Sequence, residues 1–276
     1  TNYQKFIPRL FNYVSFLVIS DKTWARYGTM TSPFERFADW NDPQDPDKTV
    51  ANRLEMMQRL MLNKESLLEI IQNYTEYESD GNKTIKKIAQ QHQYIGVKSA
   101  IKRTLEVYLQ KESMEVVKDK PDAINSDKKL NKDNKFFDRN KIGIIWHTTG
   151  SGKSLTMILY VNIISQMKEL ENPTFVILTD RKDLDEQLGD FFEVAGFPYP
   201  KPKTAILEAD SIVDLREKLA VPAGKIIFTT IQKFQTTQDE KDGMAKYPLI
   251  SERRNIIIIA DEAHRSQYKT MAINLQ

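Results

Sequence analysis

Four short apolar runs in the second half of the chain constrain the fold more than any other feature. They occupy residues 142–146, 175–178, 226–230 and 256–260. Stretches with helical periodicity separate them, at about 155–170, 184–192 and 211–219. Apolar strands that alternate with helices indicate an α/β domain with a parallel sheet covered on both faces. Ligands bind such sheets where the strands end, so we expect functional residues directly after these runs.

The first run leads into a glycine-rich segment. Its residues are His147, Thr148, Thr149, Gly150, Ser151, Gly152, Lys153 and Ser154. The glycines let backbone N–H groups approach phosphate oxygens, and a helix N-terminus that favours anions follows. The spacing predicts a P-loop that binds ATP and Mg²⁺ through residues 149–154, with Lys153 on the phosphates and Ser154 on the metal. An ordinary glycine turn is the alternative, and the position between a strand and a helix disfavours it.

One position departs from the P-loop pattern. The pattern has glycine six residues before the lysine, and His147 stands there instead.

The fourth run ends in an acidic pair, Asp261 and Glu262, followed by Ala263 and His264. Asp261 can hold Mg²⁺ directly or through water. Glu262 can orient and polarise an attacking water, because phosphoryl transfer depends mostly on positioning and charge stabilisation. Alone, such a pair is better explained as a solvated strand end. Together with the P-loop it predicts a nucleotide-hydrolysing site.

The Asp-Glu-Ala-His string after an apolar strand resembles the signature of superfamily-two helicases and translocases. That resemblance implies a RecA-like motor lobe and catalytic roles for Lys153, Asp261, Glu262 and His264. Residues 178–187 resemble motif Ia of the superfamily and residues 229–234 resemble motif Ib. In that superfamily these loops grip the phosphate backbone of one DNA strand. The basic and hydroxyl side chains suited to this contact are Thr179, Arg181, Lys182, Thr229, Thr230 and Lys233.

Residues 89–94 resemble the segment that recognises adenine in the same superfamily. The resemblance assigns that role to Gln93, whose amide can both donate to and accept from the edges of the base. The family usually has arginine where Gln90 stands, so no role is carried over to residue 90.

Several stretches resemble the motor (R) subunit of type I restriction enzymes. They are residues 146–154, Arg265-Ser266-Gln267 after the Asp-Glu-Ala-His string, and segments within 17–35. The resemblance implies a complex with methyltransferase and specificity subunits, in which this subunit pumps double-stranded DNA using ATP and contacts mainly its backbone. A nuclease would precede the motor and end in a Gln-x-x-x-Tyr element, whose tail Tyr3 matches. Its carboxylates and lysine would lie upstream of residue 1.

The domain organisation follows from these assignments. We expect a mixed α+β junction at 1–80 and the first RecA-like lobe at 81–276. Pattern and turn signals predict helices at 49–62, 64–72 and 90–110, and a hairpin of 75–78 with 84–88. Residues 117–141 are polar and indicate a solvated loop. The Asp and Lys residues within that loop imitate a nuclease motif, but no strand pattern surrounds them.

Composition narrows the classes of function. The net charge is only +2, with 40 basic and 38 acidic residues, which disfavours a DNA-coating protein but suits a motor that lines one channel with charge. The absence of cysteine excludes disulfides and Cys-ligated metals and suits the cytoplasm. The first residues show no signal peptide and no apolar run is long enough to span a bilayer, so we expect no membrane partner.

Three alternatives compete with the type I assignment. One is another superfamily-two motor, such as a type III restriction motor or a remodelling helicase. The second is a non-catalytic module that binds DNA or protein, although such modules usually lose Lys153, Asp261 or Glu262, and all three are present. The third is a metabolic P-loop kinase, which motifs Ia and Ib and His264 disfavour.

The sequence also indicates that this chain is part of a longer polypeptide. It lacks an initiator Met and reaches Gln276 soon after His264. The superfamily places a further strand after that motif, between the P-loop strand and the Asp-Glu strand, and a second lobe supplies an arginine to the γ-phosphate. We therefore expect part of a larger polypeptide that is not an autonomous ATPase.

Overall fold

The computed structural model describes residues 2–21, 23–42, 52–80, 83–118, 142–148, 150–179, 206–221, 224–237 and 248–261; for residues 2, 79–80 and 110–118 it describes the backbone only. The chain divides into two compact units. The described residues within 1–97 and 147–162 form the first unit, and those within 98–146 and 163–276 form the second.

The first unit is built on two small antiparallel sheets. After helix α1 (Asn2–Phe6), strands β1 (Leu17–Ser20), β2 (Ala25–Gly28) and β3 (Ala38–Asp39) form a sheet in that order. Strands β4 (Thr75–Asp80) and β5 (Lys83–Ile88) form the predicted hairpin, in which Thr75 pairs with Ile88. The Thr29 hydroxyl donates to the Lys86 carbonyl oxygen at 2.7 Å, which fixes the hairpin beside the sheet.

Two helices precede the hairpin where the pattern predicted them. Helices α2 (Arg53–Leu60) and α3 (Lys64–Asn73) each begin after an asparagine whose side-chain oxygen accepts a hydrogen bond from a first-turn N–H group. Helix α4 follows the hairpin and extends over Gln91–Lys118, eight residues beyond the predicted end at 110.

A chain of aromatic rings forms the core of the first unit. The centroids of Tyr27 and Trp40 lie 5.5 Å apart, those of Trp40 and Tyr94 5.3 Å, and those of Tyr94 and Tyr74 4.7 Å. All four rings are buried. The Tyr94 hydroxyl donates to the Glu69 carboxylate at 2.7 Å. Because Tyr94 lies in the first turn of α4, these contacts fix where that helix begins.

The second unit contains a four-stranded parallel sheet. Its strands are β6 (Thr174–Thr179), β7 (Ile206–Glu208), β8 (Ile226–Thr230) and β9 (Ile256–Ala260), in the order β7-β8-β6-β9. Every residue of β6 and β8 is buried, as expected for central strands of a parallel sheet. Helix α6 (Ile212–Ala220) buries Leu215 and Leu219 in an apolar cluster that includes Val176, Leu178 and Ile227.

Arg253 and Asn255 hold the beginnings of these strands together. The Arg253 guanidinium donates to the Thr174 hydroxyl at 2.9 Å and to the Leu219 carbonyl at 3.1 Å. Burial lowers the pKa of this guanidinium. The Asn255 amide donates to the carbonyl oxygens of Leu170 and Glu171. β6, α6 and the segment before β9 are thereby tied at the edge opposite the strand ends.

The predicted strand at 142–146 is wrong. Residues 142–148 have irregular backbone, and Ile144 and Trp146 are 88% and 81% exposed. A strand needs a hydrogen-bonded neighbour, and no strand of the described residues pairs with this segment. The fourth strand is instead β7, only three residues long, whose apolar signal is too short to read from the sequence.

Candidate functional site

The glycine-rich loop lies in the first unit and leads into helix α5 (Lys153–Ser165). Gly150 and Gly152 have φ angles of 79° and 85°, which side-chain-bearing residues rarely adopt. A Cβ atom at Gly152 would lie 2.5 Å from Nε2 of Gln93, so any side chain there would displace the Gln93 amide. Thr149 lies outside the described residues.

Gln93 holds the loop through its backbone. Its Nε2 donates to the carbonyl oxygen of Gly152 at 3.0 Å and to that of Ser151 at 3.3 Å. Its Oε1 accepts from the Gln90 N–H at 2.8 Å, the reciprocal half of a capping box that begins α4. The side chain is 3% exposed. The sequence did not predict this contact between Gln93 and the loop, and the adenine contact of Gln93 stays a prediction.

The direction of these two carbonyl groups matters for anion binding. In a trans peptide the C=O and N–H groups point to opposite sides. Because the Ser151 and Gly152 carbonyls point towards Gln93, the N–H groups of Gly152 and Lys153 point away from α4. The first N–H groups of a helix also lack partners within it. The loop therefore presents N–H donors on one side, as a phosphate-binding cradle requires.

Two histidines contact the same loop. The Nδ1 of His147 lies 3.4 Å from the Ser151 hydroxyl and its Nε2 lies 3.3 Å from the Thr156 hydroxyl. His92, from the first turn of α4, places Nε2 at 3.2 Å from the Ser151 carbonyl oxygen and its ring edge-on to His147, with 5.3 Å between centroids. Burial, then the charges of His92 and Lys153, lowers the pKa of His147. His147 is accordingly neutral at pH 7.

The predicted metal ligands belong to different units. Ser154 lies in the first turn of α5, whereas Asp261 follows β9 and donates its backbone N–H to the Leu178 carbonyl at 2.9 Å. No three His, Asp or Glu residues of the described chain cluster as a metal site. A serine hydroxyl and an aspartate carboxylate are each oxygen donors of the kind that Mg²⁺ takes, beside water and substrate phosphates.

The comparisons with known proteins show the family of this chain. Residues 92–276 match the family model described as the SWI2/SNF2 ATPase. The chain belongs to the SWI2/SNF2 ATPase family. This membership and the parallel sheet confirm the predicted RecA-like α/β fold.

Relatives that match nearly the whole of this chain include endonuclease subunits of type I restriction enzymes. The endonuclease subunit of the type I restriction enzyme HindI from Haemophilus influenzae is 35% identical over 271 residues, covering 96% of this chain and 23% of that protein. The putative MjaIXP endonuclease subunit from Methanocaldococcus jannaschii is 34% identical, covering 99% of this chain and 24% of that protein. The chain thus spans about a quarter of the length of these two relatives.

The threonines of the segments predicted to be motifs Ia and Ib lie together at the strand ends of the sheet. Thr179 of β6 pairs in register with Thr230 of β8. Thr179 and Thr229 are fully buried, and Thr230 is 9% exposed. The ammonium group of Lys233 donates a hydrogen bond to the carbonyl oxygen of Ala209. In this conformation the Thr179 and Thr229 hydroxyls are enclosed by the protein, and their proposed contact with DNA remains a prediction.

Other predicted site residues lie outside the described part of the chain. They are Arg181, Lys182, Glu262 and His264, together with the expected helix at 184–192 and the polar loop beyond residue 118. Among the described helices, none has the length and apolarity needed to cross a membrane.

The sequence did not predict a buried glutamate, Glu76, beside α5, the helix that follows the glycine-rich loop. Glu76 of β4 is 8% exposed and accepts a hydrogen bond from the Asn162 amide of α5 at 2.7 Å. Burial raises the pKa of Glu76 to about 7, which the Asn162 hydrogen bond partly offsets. The neighbouring Tyr77 is 53% exposed, so the polar residue faces inward and the aromatic one outward. Nothing in the sequence signals this inversion.

Proposed function

We propose that this chain binds and hydrolyses ATP within the endonuclease subunit of a type I restriction enzyme, and that the hydrolysis drives movement along double-stranded DNA. The observation that carries the ATP part is the loop at 150–153, whose carbonyls are tied to Gln93 and whose N–H groups face the other way. Similarity over 96% and 99% of the chain to type I endonuclease subunits supports the restriction part.

Each predicted residue of the nucleotide site has a chemical role in this proposal. Lys153 neutralises the β- and γ-phosphates, and the loop N–H groups bind their oxygens. Ser154 and Asp261 would hold Mg²⁺, which would supply positive charge against the phosphates. Glu262 orients the attacking water, and His264 completes the Asp-Glu-Ala-His motif. Thr149 and Ser151 contribute backbone to the cradle.

Gln93 is proposed to select adenine through one remaining acceptor position. Both hydrogens of Nε2 are directed to loop carbonyls, and one lone pair of Oε1 is taken by the Gln90 N–H. An amide oxygen has two lone pairs. The second can accept from the amino group of adenine, whereas guanine presents an acceptor at the same position. This arrangement favours ATP over GTP.

The DNA contacts are proposed to be backbone contacts. Arg181, Lys182 and Lys233 would supply charge, and Thr179, Thr229 and Thr230 hydroxyls, once the strand ends open to a ligand. Methyltransferase and specificity subunits would read the target, in a cytoplasmic complex. We retain the proposed division into a junction at 1–80 and a first motor lobe at 81–276.

The test uses the intact restriction complex. ATP hydrolysis is measured with and without double-stranded DNA for the wild type, for Lys153→Ala and for the control Lys168→Ala. Lys168 is an exposed lysine of the second unit, in a 3₁₀ turn after α5. We expect Lys153→Ala to abolish DNA-stimulated turnover while complex assembly persists, and Lys168→Ala to behave as wild type. Normal turnover in Lys153→Ala would refute the ATP site, and turnover that ignores DNA would refute the motor.

A further inference from the structure

His147 stands at the one position where the loop departs from the P-loop pattern. The pattern has glycine there, which has no side chain. The imidazole of His147 instead contacts two hydroxyls, Ser151 at 3.4 Å and Thr156 at 3.3 Å. A side chain with two specific partners differs from one that is merely tolerated.

These two contacts join the two ends of the loop. Ser151 lies inside the loop, and its hydroxyl also donates to the Thr148 carbonyl at 2.7 Å. Thr156 lies in the first turn of α5, where its N–H and hydroxyl both reach the Gly152 carbonyl. A ring of contacts thus runs from His147 through Ser151 and Gly152 to Thr156. It encloses Gly150 and Gly152, the residues whose backbone is most mobile without restraint.

His92 completes the arrangement from α4. Its Nε2 approaches the Ser151 carbonyl oxygen at 3.2 Å, the same oxygen that accepts from Gln93. Its ring also packs edge-on against His147. The Ser151 carbonyl must point away from phosphate, and two side chains in the first turn of α4, His92 and Gln93, hold it there.

We propose that His147 is a positioning residue of the nucleotide site: it holds Ser151 and Gly152 in their phosphate-binding conformation, supported by His92, and so sets ATP affinity rather than the rate of hydrolysis. The proposal rests on the proposed ATPase function. His147 is neutral, and each of its two ring nitrogens contacts a hydroxyl. It therefore contributes to the shape of the loop and not to the charge of the site. Glycine at this position would match the general pattern but leave three flexible residues in one loop.

The decisive variant is His147→Gly, measured in the intact complex with DNA present. We expect KM for ATP to rise about tenfold, the equivalent of about 1.4 kcal/mol, with kcat changed less than about threefold. Direct binding of a non-hydrolysable ATP analogue should weaken to the same extent. His147→Asn and His147→Gln each keep a donor and an acceptor, and at least one of them should recover a large part of the affinity. An equal KM for wild type and His147→Gly would overturn the proposal.

A double-mutant cycle distinguishes direct contact from general damage. Thr156→Val removes the hydroxyl at nearly constant volume and should raise KM several-fold in the wild type, but by less in the His147→Gly background. Fully additive effects would overturn the proposal. If His147→Gly fails to assemble, the same question is answered by comparing Thr156→Val in the wild type and His147→Ala backgrounds, because alanine also removes the imidazole; equal effects in the two backgrounds overturn the proposal.

Lys153→Ala in the same assay separates the two proposals. If it retains full turnover, the ATP site itself is misassigned. If it is inactive while His147→Gly has wild-type KM, only the role of His147 fails.

Discussion

Replacing Glu76 with glutamine tests the buried contact between the hairpin and the loop helix. The carboxylate of Glu76 is 8% exposed, and its pKa is raised to about 7 by burial. At pH 8 the folded protein therefore keeps a charged group away from water. Glutamine has the same shape, can still accept from Asn162 at the position of Oε1, and carries no charge at any pH.

The size of the effect follows from the two pKa values. The ordinary value is 4.5 and the folded value about 7, a difference of about 2.5. At about 1.4 kcal/mol per unit, ionisation of Glu76 costs the fold about 3 kcal/mol at pH 8. Because folding raises this pKa, the associated stability is fully present below pH 4.5 and is lost as the pH rises through 7. At pH 5 the cost is below about 1 kcal/mol.

Hydrogen exchange of the α5 backbone amides provides the assay. The free energy of local opening is compared between wild type and Glu76→Gln at pH 5 and pH 8, after correction for intrinsic exchange rates. We expect the variant to protect α5 by up to about 3 kcal/mol more than wild type at pH 8, and by little at pH 5. Glu35→Gln, at an exposed position of the same unit, should change neither. A gain that does not depend on pH, or a loss at pH 8, would refute the reasoning.

Three further outcomes are expected. Gln93→Ala should weaken ATP more than GTP in binding measurements, because only ATP uses the Oε1 acceptor; equal weakening would mean that the amide does not read the base. Glu262→Gln should retain ATP binding and lose turnover, and wild-type turnover would assign the water to another residue. Gly152→Ala should reduce ATP affinity at least about tenfold, since alanine at φ 85° is strained by roughly 1–2 kcal/mol and its Cβ would collide with Gln93; unchanged affinity would show that the loop relaxes without loss.

Apolar continuity made most of the second unit predictable. β6, β8 and β9 lie where the runs predicted them, because strands buried on both faces leave a continuous apolar signal. The run at 142–146 carries the same signal, yet it is not a strand in the structure. An apolar run indicates that a segment favours burial. It does not indicate whether a neighbouring strand is present to form the hydrogen bonds.

The loop was predictable for a different reason. Its glycines and Lys153 act through spacing along the chain, which the sequence shows directly. The contacts of Gln93 and His92 with the loop join residues 58 or 59 positions apart, and the Glu76–Asn162 contact spans 86. Such pairs depend on how the aromatic core of the first unit places α4 and the hairpin. No local pattern encodes that placement.

The through-space link between Gln93 and Gly152 also affects how distant relatives can be found. The geometry at the loop is set by a direct side-chain contact and by the anchoring of the first turn of α4 on Tyr94. The number of residues between 93 and 152 does not enter into that contact. Insertions or deletions in that interval can therefore accumulate without moving the amide from the loop. A sequence search that uses the segments around Gln93 and Gly152 as two separate motifs, with a gap of any length between them, should detect homologues that a pattern with fixed spacing misses.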